Sequence, residues 1–249
     1  MAEQKKICWF TFQPDKHTLI AFLLSGGVIV ASAGQLLFQN TAYGFIGRFT
    51  FSMLMAVGFG IFGALYHTLV IQKMTLKDLG IRFDLSGRML LISIGLGIAQ
   101  ALLFTFEANQ PLHFTTDHLE AIAYILLAGI FELVFFYGYL QHEFEKAFGV
   151  VPSLLLAAGI YSLHHIGFQP GVYLDLFIVG LVFLGIFRSA GRYILVLYPF
   201  AWGVGACWDV LLDDQINAEY FRWEGVVIYA ILIAIAFIIN LHLAKKKRS

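Results

Sequence analysis

The stretch Ile130-Phe131-Glu132-Leu133-Val134-Phe135-Phe136-Tyr137-Gly138 reads as bilayer hydrocarbon interrupted by one carboxylate. It lies inside an apolar segment at about 119–141, long enough to cross a membrane as a helix, which needs about 20 residues. A charged side chain at that depth costs roughly 2.5–3.5 kcal/mol on insertion scales. A chain keeps such a residue when it has a partner or a chemical task. The same nine residues therefore set the fold class and single out Glu132.

Seven further segments are apolar and long enough to span, at about 18–38, 49–72, 89–106, 150–167, 172–188, 193–212 and 224–243. The expectation is an all-α fold, a polytopic transmembrane helix bundle of about eight spans that forms one integral membrane domain over 1–249. Composition agrees: 59% of residues are hydrophobic and only 13% charged, with a mean hydropathy of +0.79, outside the range of soluble domains. The formal net charge is zero, which gives no basic field and excludes nucleic acid as the expected partner. The partner expected from composition is the lipid bilayer. Cys8 and Cys207 lie far apart and form neither a disulfide framework nor a CxxC metal site.

Lys and Arg set the orientation. With the N-terminus inside and eight alternating spans, 14 of the 16 basic residues fall on the inner side, and only Arg48 and Arg222 fall outside. That separation predicts cytoplasmic N- and C-termini. It makes 245–248, Lys-Lys-Lys-Arg, a basic cytoplasmic tail anchored at an anionic leaflet. Lys5, Lys6 and Lys16 precede the first apolar run, which continues past Ala31-Ser32-Ala33, so a retained first helix is expected rather than a cleaved signal. In the loop 73–88, Thr75 is positioned to cap a short helix that Gly80 ends, with Leu76, Leu79 and Ile81 lying along the interface.

At about 100° per residue, Glu132, Tyr139 and Glu143 fall within about 20° of one face of the fourth span, a polar stripe toward its cytoplasmic end. Tyr137 falls on a different face. The fifth span carries Tyr161-Ser162-Leu163-His164-His165. The short connection Phe148-Gly149-Val150-Val151-Pro152 makes the two spans antiparallel neighbours, so a Glu and a His can meet as base and partner or as metal ligands. Adjacent histidines point about 100° apart, which favours His165 over His164. Counted from the outer ends of their spans, however, Glu132 and His165 differ in depth by about 15 Å. On the seventh span, Trp202 and Asp209 share a face.

Together these stretches resemble the CAAX prenyl protease and bacteriocin-processing family (CPBP, or Abi) of intramembrane endopeptidases, over about residues 75–210. The family's Glu-Glu-x-x-Phe-Arg-Gly motif aligns with Glu132 to Gly138, followed by Phe148-Gly149. Its Phe-x-x-x-His motif aligns with Tyr161 to His165. The lead-in to its third motif aligns with Tyr198-Pro199-Phe200-Ala201-Trp202-Gly203, and its preceding turn with Arg188-Ser189-Ala190-Gly191. Three departures stand out. The second Glu is Leu133, the Arg is Tyr137, and the third-motif His and Asn positions read Gly203 and Cys207.

The resemblance implies hydrolysis of a peptide bond in a peptide or prenylated-peptide substrate, at a membrane-embedded site with a Glu-activated water. It implies Glu132, His165 and Asp209 as catalytic residues and Tyr137, His164, Trp202 and Glu143 as supporting ones. Glu132 and His165 are the candidate ligands should a divalent metal such as zinc be the cofactor. A multi-pass protein of the prokaryotic plasma membrane is the expected location. Two other classes stay open: a catalytically lapsed relative acting as a binding or immunity factor, and a proton-coupled carrier built on buried Glu, His and Asp.

Overall fold

Every long element is a helix, as an apolar solvent requires when no water is at hand to satisfy backbone groups. The computed structural model describes residues 8–82, 84, 86–108, 114–167, 171–212 and 222–248, and the side chains of Glu107, Ala108, Asp117 and Asp209 lie outside that description. Among the described residues, six helices are long and apolar enough to cross a membrane: α1 (Lys16–Phe38), α2 (Gly44–Ile71), α3 (Gly87–Phe106), α4 (His118–Phe148), α5 (Val150–Gly167) and α8 (Trp223–Arg248). The segments expected as the sixth and seventh spans form shorter helices, α6 (Tyr173–Ser189, 17 residues) and α7 (Ala201–Leu212, 12 residues). An all-α, multi-pass integral membrane architecture is what these helices make.

Local sequence explains the starts and stops. Asp15 caps α1 by accepting from the backbone N–H of His17 and Thr18 at 2.9 and 3.0 Å, while Thr18 Oγ1 accepts from the Asp15 N–H at 3.1 Å. This reciprocal pair is a capping box. A second box, Thr75 with Asp78, opens the turn Leu76–Leu79, and Gly80 closes it at φ +77, a conformation suited to glycine. Leu79 is buried and its carbonyl packs against α4, where a Cβ at Gly138 would stand 2.6 Å from it. Burial alone would raise the Asp78 carboxyl, but hydrogen bonds from the Thr75 backbone and hydroxyl hold it below the ordinary range. The basic residues 245–248 are the last turn of α8, where cations complement the helix dipole. Arg248 donates from there to the backbone carbonyls of Lys73 and Met74.

The hairpin of α4 and α5 organises the rest. Gly149 makes the turn at φ +86, and the N-terminal segment hydrogen-bonds across it, Thr11 to Phe148 O and Val151 to Trp9 O. A Cβ at Gly149 would meet the Trp9 carbonyl at 2.8 Å. Both arms of this hairpin are measured from one point. Glu132 lies 17 residues before Gly149 and His165 lies 16 after it, so at 1.5 Å per residue they share a depth. The 15 Å gap expected from the outer ends is absent, because α4 is 31 residues long and α5 only 18.

Candidate active site

Glu132 ends the regular part of α4, and from Leu133 to Leu140 the helix widens to i→i−5 hydrogen bonding. Such π turns are uncommon and concentrate at functional sites. The carboxylate is 7% exposed. One oxygen, Oε2, accepts the indole N–H of Trp202 at 2.8 Å. The indole reaches it because residue 129 is glycine: a Cβ there would stand 2.3 Å from the Trp202 ring. The other oxygen, Oε1, faces His164 Nε2 at 3.6 Å.

The two histidines sit where α5 tightens into a final turn, His164–Gly167. Both rings fold back on one acceptor. His165 Nδ1 lies 3.0 Å from the Tyr161 carbonyl, and His164 Nδ1 contacts the same oxygen. Residues three and four along a helix both reach the carbonyl of the first, and this one is a helix-end carbonyl without an intrahelical partner. That geometry brings adjacent histidines to one place, against the expectation that they diverge. From α1, Ser32 holds the turn. Its hydroxyl donates to the His164 carbonyl and accepts the Gly167 N–H at 3.2 Å. A Cβ at Gly167 would lie 2.0 Å from Ser32 O, so only glycine permits this approach.

The hydrogen bonds fix the proton positions. A carbonyl oxygen only accepts, so each Nδ1 facing Tyr161 O carries hydrogen, and each Nε2 presents a lone pair. Glu132 Oε1 and His164 Nε2 thus oppose one another as acceptors when both groups are in their resting forms. One ligating atom from each of Glu132, His164 and His165 lies within 4.8 Å of the others. Two of these three acceptors would take the two hydrogens of a water, and all three together suit a cation.

Two imidazoles and a carboxylate are a zinc-type donor set. Ligands of a tetrahedral zinc sit roughly 3.3 Å apart; Glu132 Oε1 and His164 Nε2, at 3.6 Å, are close to that spacing, and all three atoms lie within 4.8 Å of one another.

The other residues expected at the site fall elsewhere or beside it. Tyr137 is fully buried among Tyr161, Phe183 and Phe187. Glu143 belongs to a separate network: its Oε1 accepts from Gln72 Nε2 at 2.6 Å. Nearby, Tyr139 meets His67 Nδ1 at 2.7 Å and His17 meets His67 Nε2 at 2.9 Å. The polar stripe of α4 is therefore two networks, separated by the Phe135 and Phe136 rings that pack on Phe131. Asp209 lies on α7, about 10 Å along the axis from Trp202, and its side chain falls outside the described residues. Gly129, Ser32 and Gly167 escaped the sequence reading. Their signal is steric, and only the partner helix reveals it.

Residues 114–209 match the family described as type II CAAX prenyl endopeptidase Rce1-like. The matched stretch is similar to the CPBP type that the motifs resemble, and it contains Glu132, both histidines, Trp202 and Asp209. It leaves out α1, α2, α3 and α8. No curated protein and no solved structure matches the chain.

Proposed function

Starting from the Rce1-like match over 114–209, we propose that this chain is an intramembrane endopeptidase that hydrolyses a peptide bond near a lipidated C-terminus, with Glu132 activating the water. The observation that carries the reading is the convergence of Glu132, His164 and His165 on one buried point inside the matched stretch. In the reaction, Glu132 takes a proton from water while the water oxygen bonds to the scissile carbonyl carbon. The carbonyl π electrons move onto its oxygen. Collapse of that oxyanion breaks the C–N bond, and the proton held by Glu132 passes to the leaving nitrogen. The Nε2 lone pair of His164 or His165 accepts the water's other hydrogen and so orients it. Trp202 holds one carboxylate oxygen and so points the other at the reacting centre. Should a divalent ion bind, Glu132, His164 and His165 would hold it, and it would supply Lewis-acid polarisation of the carbonyl or the water.

The reading extends to topology: eight spans, both termini cytoplasmic, in a prokaryotic plasma membrane. Cysteine-accessibility labelling across intact cells tests it, with loops before α1 and after α8 expected on the protected side. The catalytic test is cleavage, in proteoliposomes, of a fluorogenic peptide ending in an S-farnesyl CaaX sequence. Wild-type protein is expected to release the terminal tripeptide. Wild-type rates in Glu132→Gln would sink the assignment. A second reading rests on Gly203 and Cys207 at the third-motif positions: a lapsed protease that binds the lipidated peptide and leaves it intact. Binding without turnover by the wild type would favour it.

A further inference from the structure

Hydrolysis needs hydrogen-bond donors for the oxyanion as well as a base for the water. Donors are scarce around Glu132. Trp202 has one N–H and gives it to the Glu132 carboxylate. Each histidine gives its Nδ1 hydrogen to the Tyr161 carbonyl, so neither Nε2 can donate while the rings are neutral. Ser162 donates to the Tyr173 carbonyl at 2.6 Å. Ser32 is committed to the His164 carbonyl.

Among the described residues two phenols remain, and the Tyr161 hydroxyl is engaged with the Glu132 carboxylate. Tyr137 is fully buried, its ring is boxed by Tyr161, Phe183 and Phe187, and its hydroxyl, a neighbour of the Tyr161 hydroxyl, makes no well-formed hydrogen bond. A buried hydroxyl with nothing to bind is costly, about 1–3 kcal/mol in mutational data, and its persistence calls for a reason. In a regular helix Tyr137 would point away from Glu132, five residues earlier. The widened turn that starts at Leu133, in which the Gln141 N–H bonds five residues back to Phe136 O, returns position i+5 toward the face of i. Tyr137 therefore lies within electrostatic reach of the Glu132 carboxylate.

Resting on the endopeptidase reading, we infer that Tyr137 is a catalytic residue that donates its phenolic hydrogen bond to the oxyanion of the tetrahedral intermediate. It does so from the position where the first motif of the family carries an arginine. The hydroxyl makes no well-formed hydrogen bond in the resting protein because its acceptor exists only during the reaction. The phenol keeps its proton throughout. It lends a hydrogen bond while the carbonyl oxygen carries charge, and withdraws it when the C–N bond breaks.

The test is Tyr137→Phe, assayed with the S-farnesyl CaaX reporter in proteoliposomes beside wild type. A kcat reduced about 10²–10³-fold, with KM within about twofold, is expected. Thermal stability should be unchanged or higher, since the substitution deletes an unsatisfied hydroxyl and keeps the ring. A purely structural tyrosine would lose stability and activity together. A lipidated peptidyl phosphonate, which mimics the tetrahedral intermediate, should lose affinity for the variant by the same factor as kcat. An unchanged kcat overturns the inference. So does a rise confined to KM, a parallel loss of stability, or a kcat loss seen only in Tyr161→Phe. Failure of the wild type itself to cleave strikes the endopeptidase reading, and the inference falls with it.

Discussion

Helix α4 buries two carboxylates eleven residues apart, Glu132 at 7% exposure and Glu143 at 1%, and their surroundings differ in kind. Glu143 meets a donor, the Gln72 amide, inside a tie that links three helices: His17 on α1, His67 on α2 with Gln72 just beyond its end, Tyr139 and Glu143 on α4. Glu132 meets the Trp202 N–H, the Tyr161 hydroxyl and two histidines that offer it lone pairs. The first places a protein donor on one oxygen and leaves the other, Oε2, buried without a hydrogen-bond partner. The second gathers acceptors, which something with hydrogens or positive charge would bridge. Depth of burial does not separate a working carboxylate from a structural one, whereas the sign of what converges on it does.

The sharpest way to break this contrast is to neutralise each acid in turn. Glu132→Gln should reduce the rate of reporter cleavage by about 10²–10⁴-fold, the usual worth of a positioned base. Glu143→Gln should stay within about threefold of wild type, because the amide still accepts from Gln72. Equal losses in both would erase the distinction. Next in size is Gly129→Ala. The added methyl meets the Trp202 ring, so the indole must retreat from Glu132. A displacement of about 1 Å can cost up to about 10²-fold in rate, and a drop of about 10-fold or more in kcat is expected, read alongside the intrinsic fluorescence of the protein.

Much of this was legible in the residues themselves. Glu132 declared itself by cost, the hairpin by the short Phe148–Gly149–Val150 connection, and the capping of the 75–80 turn by Thr75 and Gly80. Depth was legible too, from a different origin: counting from the shared Gly149 turn places Glu132 and His165 level, and counting from the outer ends does not. The widened turn was not legible. Leu-Val-Phe-Phe-Tyr-Gly-Tyr-Leu satisfies an α-helix equally well, and the Leu79 carbonyl that lodges against Gly138 in this stretch comes from a distant turn. The change of pitch turns Tyr137 closer to the face of Glu132 than a regular helix would. The partnership of both histidines was hidden for a related reason. It depends on a helix-end carbonyl, and helix ends are the least predictable part of an element.

Ser32 and His67 sharpen the contrast from the outside. Ser32→Ala removes a hydroxyl that serves two backbone groups of the histidine turn, and about 1–3 kcal/mol of stability should go with it. Its kcat should fall by about 5–10-fold, since loosened histidines orient water less well. His67→Ala should cost a similar amount of stability by leaving Tyr139 and His17 without their partner, yet leave kcat of the folded protein unchanged. The paired readout, melting temperature against kcat in proteoliposomes, separates the two regions. A kcat loss in His67→Ala equal to that of Ser32→Ala would mean the three-helix tie and the site act as one unit.

The smallest effect concerns α1, which touches both regions through His17 and Ser32. Asp15 caps this helix and pairs with Lys146 at 3.0 Å. Burial on its own would raise the Asp15 carboxyl, but hydrogen bonds from the Thr18 backbone and hydroxyl, together with the Lys146 pair, hold it below its ordinary 3.8. A carboxyl depressed in the folded state stabilises the fold above its unfolded value, and that contribution fades as pH falls through the folded one. Wild-type protein should therefore lose melting temperature steadily below about pH 4, on top of any acid effect common to the whole chain. Asp15→Asn keeps a competent cap and loses only the charge. Because the ion pair is largely solvated, the variant should melt about 1–3 °C lower at pH 7 and show a shallower acid slope. Its cleavage rate should match wild type at pH 7, since neither Ser32 nor the histidine turn has moved. An identical acid slope in both proteins would show that the Asp15 charge is not what ties α1 to α4.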